Sequence, residues 1–460
     1  MQLNTILLMA GWQAQALQLF MALSLLIILH EFGHFFFAKL FKTRVEKFYL
    51  FFDFLFPFSN ILPFSLFKKT KGDTTYGIGW FPLGGYVKIA GMVDESMDKE
   101  QMAKPPEPWE YRSKKPWQRL FIMLGGIIVN VIVAIIIYIG VFKFWGERYL
   151  LTDNMTYGIA VDEVGKRAGL QNGDKIVALD GNAVHKTRDL ARGILLHGAK
   201  VIQVERNGQL TDIQVPKGTI RSMIKSKGAF LDARVPAVVD SVNPGSLAAT
   251  MGLQHNDSII AFNQVPVHFL DQLNEEKAKL NAGDAVALTV LRQGKDTVTL
   301  NGVLNKEKAF GFFNYTADHF FTYTEVHYGL GGAIAKGWRF TGEQFVDYWY
   351  QLKLIFTSPE VKASESVGGL ASFASQFPKT FDWFSFWMFT AFISIILAFM
   401  NLLPIPGLDG GYVIFLVWEM ITRRKVSDKV MEWATTVGLV LLLGLMVYAN
   451  GLDIFRVLKK

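Results

Sequence analysis

The amino-acid sequence predicts a polytopic α-helical membrane protein of four spans, with two small α+β domains inserted outside the bilayer. Three observations predict it. The apolar residues gather into segments of membrane length. The charged fraction is 19%, below the roughly 25% of soluble globular chains. The stretch between the second and third apolar segments contains an internal duplication.

The four segments are residues 17–40, 120–145, 384–405 and 437–448, the last extending to 433–455 with its polar positions included. A span takes about 20 apolar residues at 1.5 Å each. No Lys or Arg precedes Lys39, which argues against an N-terminal signal peptide. Residues 41–119 carry 13 Lys and Arg, and Arg423, Arg424, Lys425 and Lys429 lie between the third and fourth spans. The positive-inside rule puts both loops in the cytoplasm, and residues 146–380 and both termini outside. Residues 49–67 are crowded with Phe but hold Asp53, Pro57, Asn60 and Pro63, so they predict a re-entrant or interfacial loop and not a fifth span. Residues 111–119, with Trp117 among four basic residues, read as an interfacial segment entering the second span.

The chain has no cysteine, which excludes disulfides, Cys-ligated zinc, iron–sulfur clusters and thiol nucleophiles. Its net charge of +7 collects at the membrane flanks, where it suits lipid headgroups and gives no support to nucleic-acid binding.

The external region repeats itself. Residues 168–179 (AGLQNGDKIVAL) match residues 251–262 (MGLQHNDSIIAF), and residues 201–215 match 286–300 as alternating strands around Asn207-Gly208 and Gln293-Gly294 turns. Each unit has the size of a small domain. The AGLxxGDxIxxxxG pattern resembles PDZ domains, which implies that each unit can add an extended peptide to its sheet edge.

The chemistry concentrates in His30-Glu31-Phe32-Gly33-His34, inside the first span. Residues i and i+4 share a helix face, so both imidazoles reach one metal while Glu31 projects toward a water on it. Two neutral His and one carboxylate leave a fourth tetrahedral position open, the arrangement of hydrolytic zinc. Phe32 lies seven residues before Lys39, roughly 10 Å below the cytoplasmic boundary at 1.5 Å per residue. At the end of the third span stands Asn401-Leu-Leu-Pro-Ile-Pro-Gly-Leu-Asp-Gly-Gly411, where Pro404 and Pro406 stop the helix. Asp409 there is either the third ligand or the N-cap of a following helix.

Taken together, HEFGH, NLLPIPGLDGG and the tandem of PDZ-like units resemble the site-2 protease family of intramembrane zinc metalloproteases, over essentially the whole chain. The resemblance implies that His30, His34 and Asp409 hold Zn²⁺ and that Glu31 is the general base. It implies that Asn401, Pro404 and Pro406 hold an unwound substrate helix. Gly125-Gly126 and Asn130 match the family's second-span pattern beside the catalytic helix, and Asn130 is grouped with the substrate-binding residues. Residues 72–91, with Gly84 and Gly85, resemble the family's membrane-associated β-hairpin, whose edge would pair with substrate. The Phe-rich insert at 49–67 departs from the family pattern.

The expected organisation is residues 1–150 as the N-terminal half of the membrane domain, 151–220 and 221–305 as PDZ-like domains, 306–380 as an amphipathic connection, and 381–460 as the C-terminal half. The expected protein is a monomeric protease of the bacterial inner membrane, with its active site toward the cytoplasm and its PDZ-like domains in the periplasm. Its substrates would be the transmembrane segments of single-span proteins, such as a pre-trimmed anti-sigma factor or remnant signal peptides. Two other readings are a membrane-anchored PDZ binding protein without protease activity and a metal or proton transporter. The intact Glu31 weighs against the first, and the lack of inverted repeats against the second.

Overall fold

A computed structural model describes residues 11–55, 61–82, 84–92, 105–226, 230–362 and 367–458. The chain forms two compact units. One comprises Met1–Gly146, His327–Trp349 and Val367–Lys460; the other comprises Glu147–Val326 and Tyr350–Ser366.

The first unit contains four helices long and apolar enough to cross a membrane, Gly11–Leu40, Pro116–Phe144, Trp383–Leu402 and Asp428–Leu458. These match the four expected spans, and the chain is a membrane protein. The second helix is the centre of the bundle, packing on the first and third and on a helix the hydropathy pattern did not single out, Asp409–Thr422. Close approach of the first two helices rests on glycine: a Cβ on Gly33 would overlap the Gly125 carbonyl, and one on Gly125 would stand 2.5 Å from the Gly33 carbonyl oxygen. Small residues are how helices come together where lipid gives no hydrophobic drive. At the N-terminal end of the second helix, Arg119 donates to Glu419 at 2.6 Å and fixes the Asp409–Thr422 helix against it. The N-terminal part of the helix Leu330–Thr357 belongs to this unit; its Ala333 and Phe340 pack on Tyr138 and Phe142 of the second helix.

Against the first helix lies a four-stranded sheet of β1 (Val45–Leu50), β2 (Ser65–Lys71), β3 (Thr74–Gly79) and β4 (Tyr86–Ile89), in the order β2-β3-β1-β4. The hairpin expected over residues 72–91 is therefore corrected. β3 and β4 do not pair with each other, because β1 lies between them, parallel to β3 and antiparallel to β4. The true hairpin is β2–β3, closed at Gly72. A parallel neighbour needs a crossover, and the connection from β1 to β3 is residues 51–73, which include β2 and most of the Phe-rich insert. Its ends belong to β1 and β2, and the Pro57 and Asn60 named above lie outside the described residues. Phe52 and Phe54 are buried, with rings 6.0 Å and 5.8 Å from that of Tyr86. Asp53 accepts a 2.7 Å hydrogen bond from the Tyr86 hydroxyl and faces Lys47 Nζ at 3.5 Å. A carboxylate in this apolar setting needs such partners.

The second unit is built twice. One sheet runs Gln209–Gln214, Val201–Arg206, Lys175–Leu179, Asn182–Ala183; the other runs Asp296–Val303, Ala285–Arg292, Ser258–Phe262, Val265–Pro266. Each covers its own core, one around Ile176, Ile202 and Val204 and the other around Ile259, Leu288 and Val290. The first core takes in Met223 and Phe230, past residue 220, and the second takes in Phe310, past residue 305. The repeated Asp is the keystone of each copy. Asp174 and Asp257, each 1% exposed at the side chain, accept from Arg206 at 2.7 Å and Arg292 at 2.8 Å. Each arginine also donates to a glycine carbonyl, Gly169 or Gly252, at 2.9 Å. Removing one partner leaves an uncompensated buried charge, at a cost of roughly 3–5 kcal/mol. Arg292→Ala is therefore expected to raise the proteolytic susceptibility of the second repeat about a hundredfold or more in pulse proteolysis, and to spare the first. Equal susceptibility of both repeats would contradict this.

Candidate metal centre

His30 and His34, one helical turn apart, meet Asp409 from far along the chain in the first unit. His30 Nε2 and His34 Nε2 each lie 3.3 Å from Asp409 Oδ2, and 3.3 Å from one another. Among the described residues this is the group able to hold a metal ion. The triangle has the dimensions of a tetrahedral site: donors at roughly 2.0–2.1 Å from a common centre stand about 3.3–3.4 Å apart. Its chemistry fits as well. Asp409 Oδ2 is buried and receives no hydrogen bond. His34 Nδ1 lies 2.9 Å from the Ile122 carbonyl oxygen, so Nδ1–H donates there and Nε2 carries a lone pair. The His34 lone pair beside a buried carboxylate oxygen suits a cation.

Each candidate ligand is placed by a simple local device. The two histidines share a face of the first helix, as their spacing requires. Gly126 of the second helix makes room for both rings; a Cβ there would stand 2.6 Å from His34 Nε2 and 2.6 Å from His30 Nδ1. Gly126→Ala must push the ligating rings aside, and overpacking of this kind costs about 1–3 kcal/mol. It is expected to weaken metal retention by roughly ten- to a hundredfold, read by competition with a chromophoric chelator; unchanged retention would contradict the assignment of Gly126.

Asp409 is delivered by the chain reversal after the third helix. Gly407 turns at φ +92°, a backbone only glycine takes readily. The next helix starts at Asp409, with Leu408 at the N-cap position. Of the two readings open in the sequence, the N-cap one is therefore excluded: the Asp409 carboxylate faces the imidazoles. The positive end of the helix dipole favours its anionic form.

Glu31 stands outside the ligand triangle. Its carboxylate accepts from the Val87 backbone N–H of β4, and Gly85 sits over it, where a Cβ would be 3.4 Å from Glu31 Cγ. Val87 is opposite Phe48 of β1, yet its N–H turns away to Glu31. Among the described residues the edge of β4 away from β1 pairs with no other strand, and it faces the site. Gly84 and Gly85 lie at the start of this edge, and Gly85 leaves it pressed on the first helix.

The residues expected to bind substrate separate. Asn401 Nδ2 comes within 3.4 Å of His30 Nε2. Pro404 is exposed, whereas Pro406 is packed beneath Gly411 and Gly438 in the loop that carries Asp409. Asn130 is a correction. It is 0% exposed and lies 3.1 Å from His30 Nδ1, behind the ring. No surface of it remains for substrate. The contacts of Ile122 and Val87 are made by backbone atoms, so no side-chain signal in the sequence marked them.

Comparison with known proteins agrees with this geometry. The model of Peptidase family M50 matches residues 18–445. A protein of Clostridium perfringens named "Putative zinc metalloprotease" is 25% identical over 437 residues, 94% of this chain and 96% of its own length. The "Regulator of sigma E protease" of Haemophilus influenzae is 24% identical over 466 residues, 95% of this chain and 97% of its own. A Vibrio cholerae protein, also named "Putative zinc metalloprotease", is 28% identical over 469 residues, covering 95% and 97%. With a metal-binding triangle, a neighbouring glutamate and membrane-length helices on one side and these relatives on the other, the chain belongs to peptidase family M50 and is a membrane metalloprotease.

Proposed function

We propose that the protein is an intramembrane zinc endopeptidase that cuts the transmembrane segment of single-span membrane proteins. The observation that carries this reading is the meeting of His30 and His34, on a membrane-length helix, with Asp409, which opens the helix after the third span, and with Glu31 and β4 beside them. His30, His34 and Asp409 would hold the zinc, which when bound would supply Lewis-acid polarisation of a scissile carbonyl and of water. Glu31 takes the proton of the attacking water and passes it to the leaving amine. A helical substrate hides its peptide bonds, so it must unwind. The edge of β4 away from β1 would offer backbone partners to an extended segment, and the Asn401 amide, 3.4 Å from His30 Nε2, would donate to the carbonyl under attack.

On this reading the protein works as a monomer in a bacterial inner membrane, with the metal reached from the cytoplasm and the two repeats in the periplasm as PDZ domains. The positive-inside count of the loops supports that orientation. Substrates are proteins already trimmed outside, of the anti-sigma-factor kind, or remnant signal peptides. The repeats favour trimmed substrates by excluding bulky ectodomains.

Incubation of purified protein with a single-span substrate, followed by mass mapping of the products, tests the activity. A cut within the transmembrane segment is expected, and cuts confined to soluble regions would refute the reading. Deleting residues 157–304 with a short linker is expected to preserve cleavage of a trimmed substrate and to permit cleavage of an untrimmed one. If the inserted, stable deletion cuts neither, the repeats position substrate and do not filter it.

A further inference from the structure

One stripe of the second membrane helix serves both imidazoles. Ile122, Gly126 and Asn130 recur at intervals of four and so share a face. The Ile122 carbonyl faces His34 Nδ1 at 2.9 Å, Gly126 gives both rings room, and the Asn130 amide faces His30 Nδ1 at 3.1 Å. Asn130 is held on two sides. It is fully buried, and its backbone carbonyl accepts a 2.8 Å hydrogen bond from Ser394 of the third helix.

The two histidines are nevertheless treated differently. The carbonyl beside His34 can only accept, which fixes the proton on Nδ1. The Asn130 amide can present either end. As placed, Nδ2 donates to His30 Nδ1, and Oδ1 is buried without a donor. That setting puts the imidazole proton on Nε2, the atom facing Asp409, His34 and, at 3.4 Å, the Asn401 amide. A half-turn of the amide puts Oδ1 on Nδ1 and frees the Nε2 lone pair. The half-turn exchanges one buried unpaired amide atom for another, so the choice is decided at His30.

We propose that Asn130 is a positioning residue that selects the metal-binding tautomer of His30, its amide oxygen accepting the Nδ1 proton when metal is held. The proposal rests on the reading of His30, His34 and Asp409 as a zinc site, and deepens it. An acceptor behind a ligating imidazole orients the ring and raises its basicity, and losing such a partner typically costs ten- to a hundredfold in metal affinity.

The test is zinc affinity of the full-length purified protein, by chelator competition, with no substrate present. Asn130→Leu keeps the volume but cannot accept, and is expected to weaken zinc binding ten- to a hundredfold. Asn130→Asp can only accept, and is expected to bind zinc at least as tightly as the parent. Parent-like affinity in Asn130→Leu overturns the proposal. So does an affinity in Asn130→Asp as low as that of Asn130→Leu, and Asn130→Asp measured against the parent decides the matter alone if the Leu variant does not fold. His30→Ala is the control: stoichiometric zinc there removes the metal site itself, and the proposal with it.

Discussion

Glu31→Gln is expected to lower cleavage by roughly 10²–10⁴-fold, the range for loss of a general base, while zinc content stays at the parental level. The two outcomes belong together because of where Glu31 sits. It is next in sequence to His30 but outside the triangle, with its carboxylate turned to the Val87 N–H of β4. Gln preserves the shape and the acceptor for that N–H, and removes only the ability to take a proton. Metal analysis of the purified variant, beside product yield from a single-span substrate, checks both halves. Zinc lost as readily as from His30→Ala would falsify the division of roles, since Glu31 would then be a ligand.

The second large effect is expected at the triangle. Ala at His30 or His34 removes one of three protein donors, and the loss should exceed the ten- to hundredfold typical of a residue that only supports a ligand. Zinc should then fall well below one per chain after dialysis, with activity lost in parallel. Asp409→Asn should act in the same direction and less severely, because an amide oxygen is neutral but can still donate a lone pair. Removing zinc from the parent with a chelator should abolish cleavage, and adding it back should restore cleavage. Full zinc retention by the variant with both histidines changed to Ala would sink the assignment.

The strand order around the site shows why local reading has limits. Residues 72–91 are expected to form one hairpin because they resemble the family's membrane-associated β-hairpin. The fold instead places β1 between β3 and β4. Ring contacts among Phe52, Phe54 and Tyr86 secure that arrangement. No periodicity within residues 72–91 carries that information. Asn130 is a second case: its residue type suits a substrate contact and a ring support equally, and burial behind His30 decides for the support.

By itself the sequence determined what depends on near neighbours along the chain. Apolar runs of membrane length set the four long helices, the i,i+4 spacing put His30 and His34 on one face, and the repeated Asp-bearing motif announced a duplicated fold. Tertiary structure alone decided what depends on distance between remote segments. It joined Asp409 to the two histidines, turned an edge of β4 toward Glu31, and brought the Ile122 carbonyl and the Asn130 amide behind the rings. The physical reason is that a helix is specified by contacts within a few residues. Convergence of helices is specified by close approach at positions such as Gly33, Gly125 and Gly126, and a glycine's meaning is fixed only by what lies across from it.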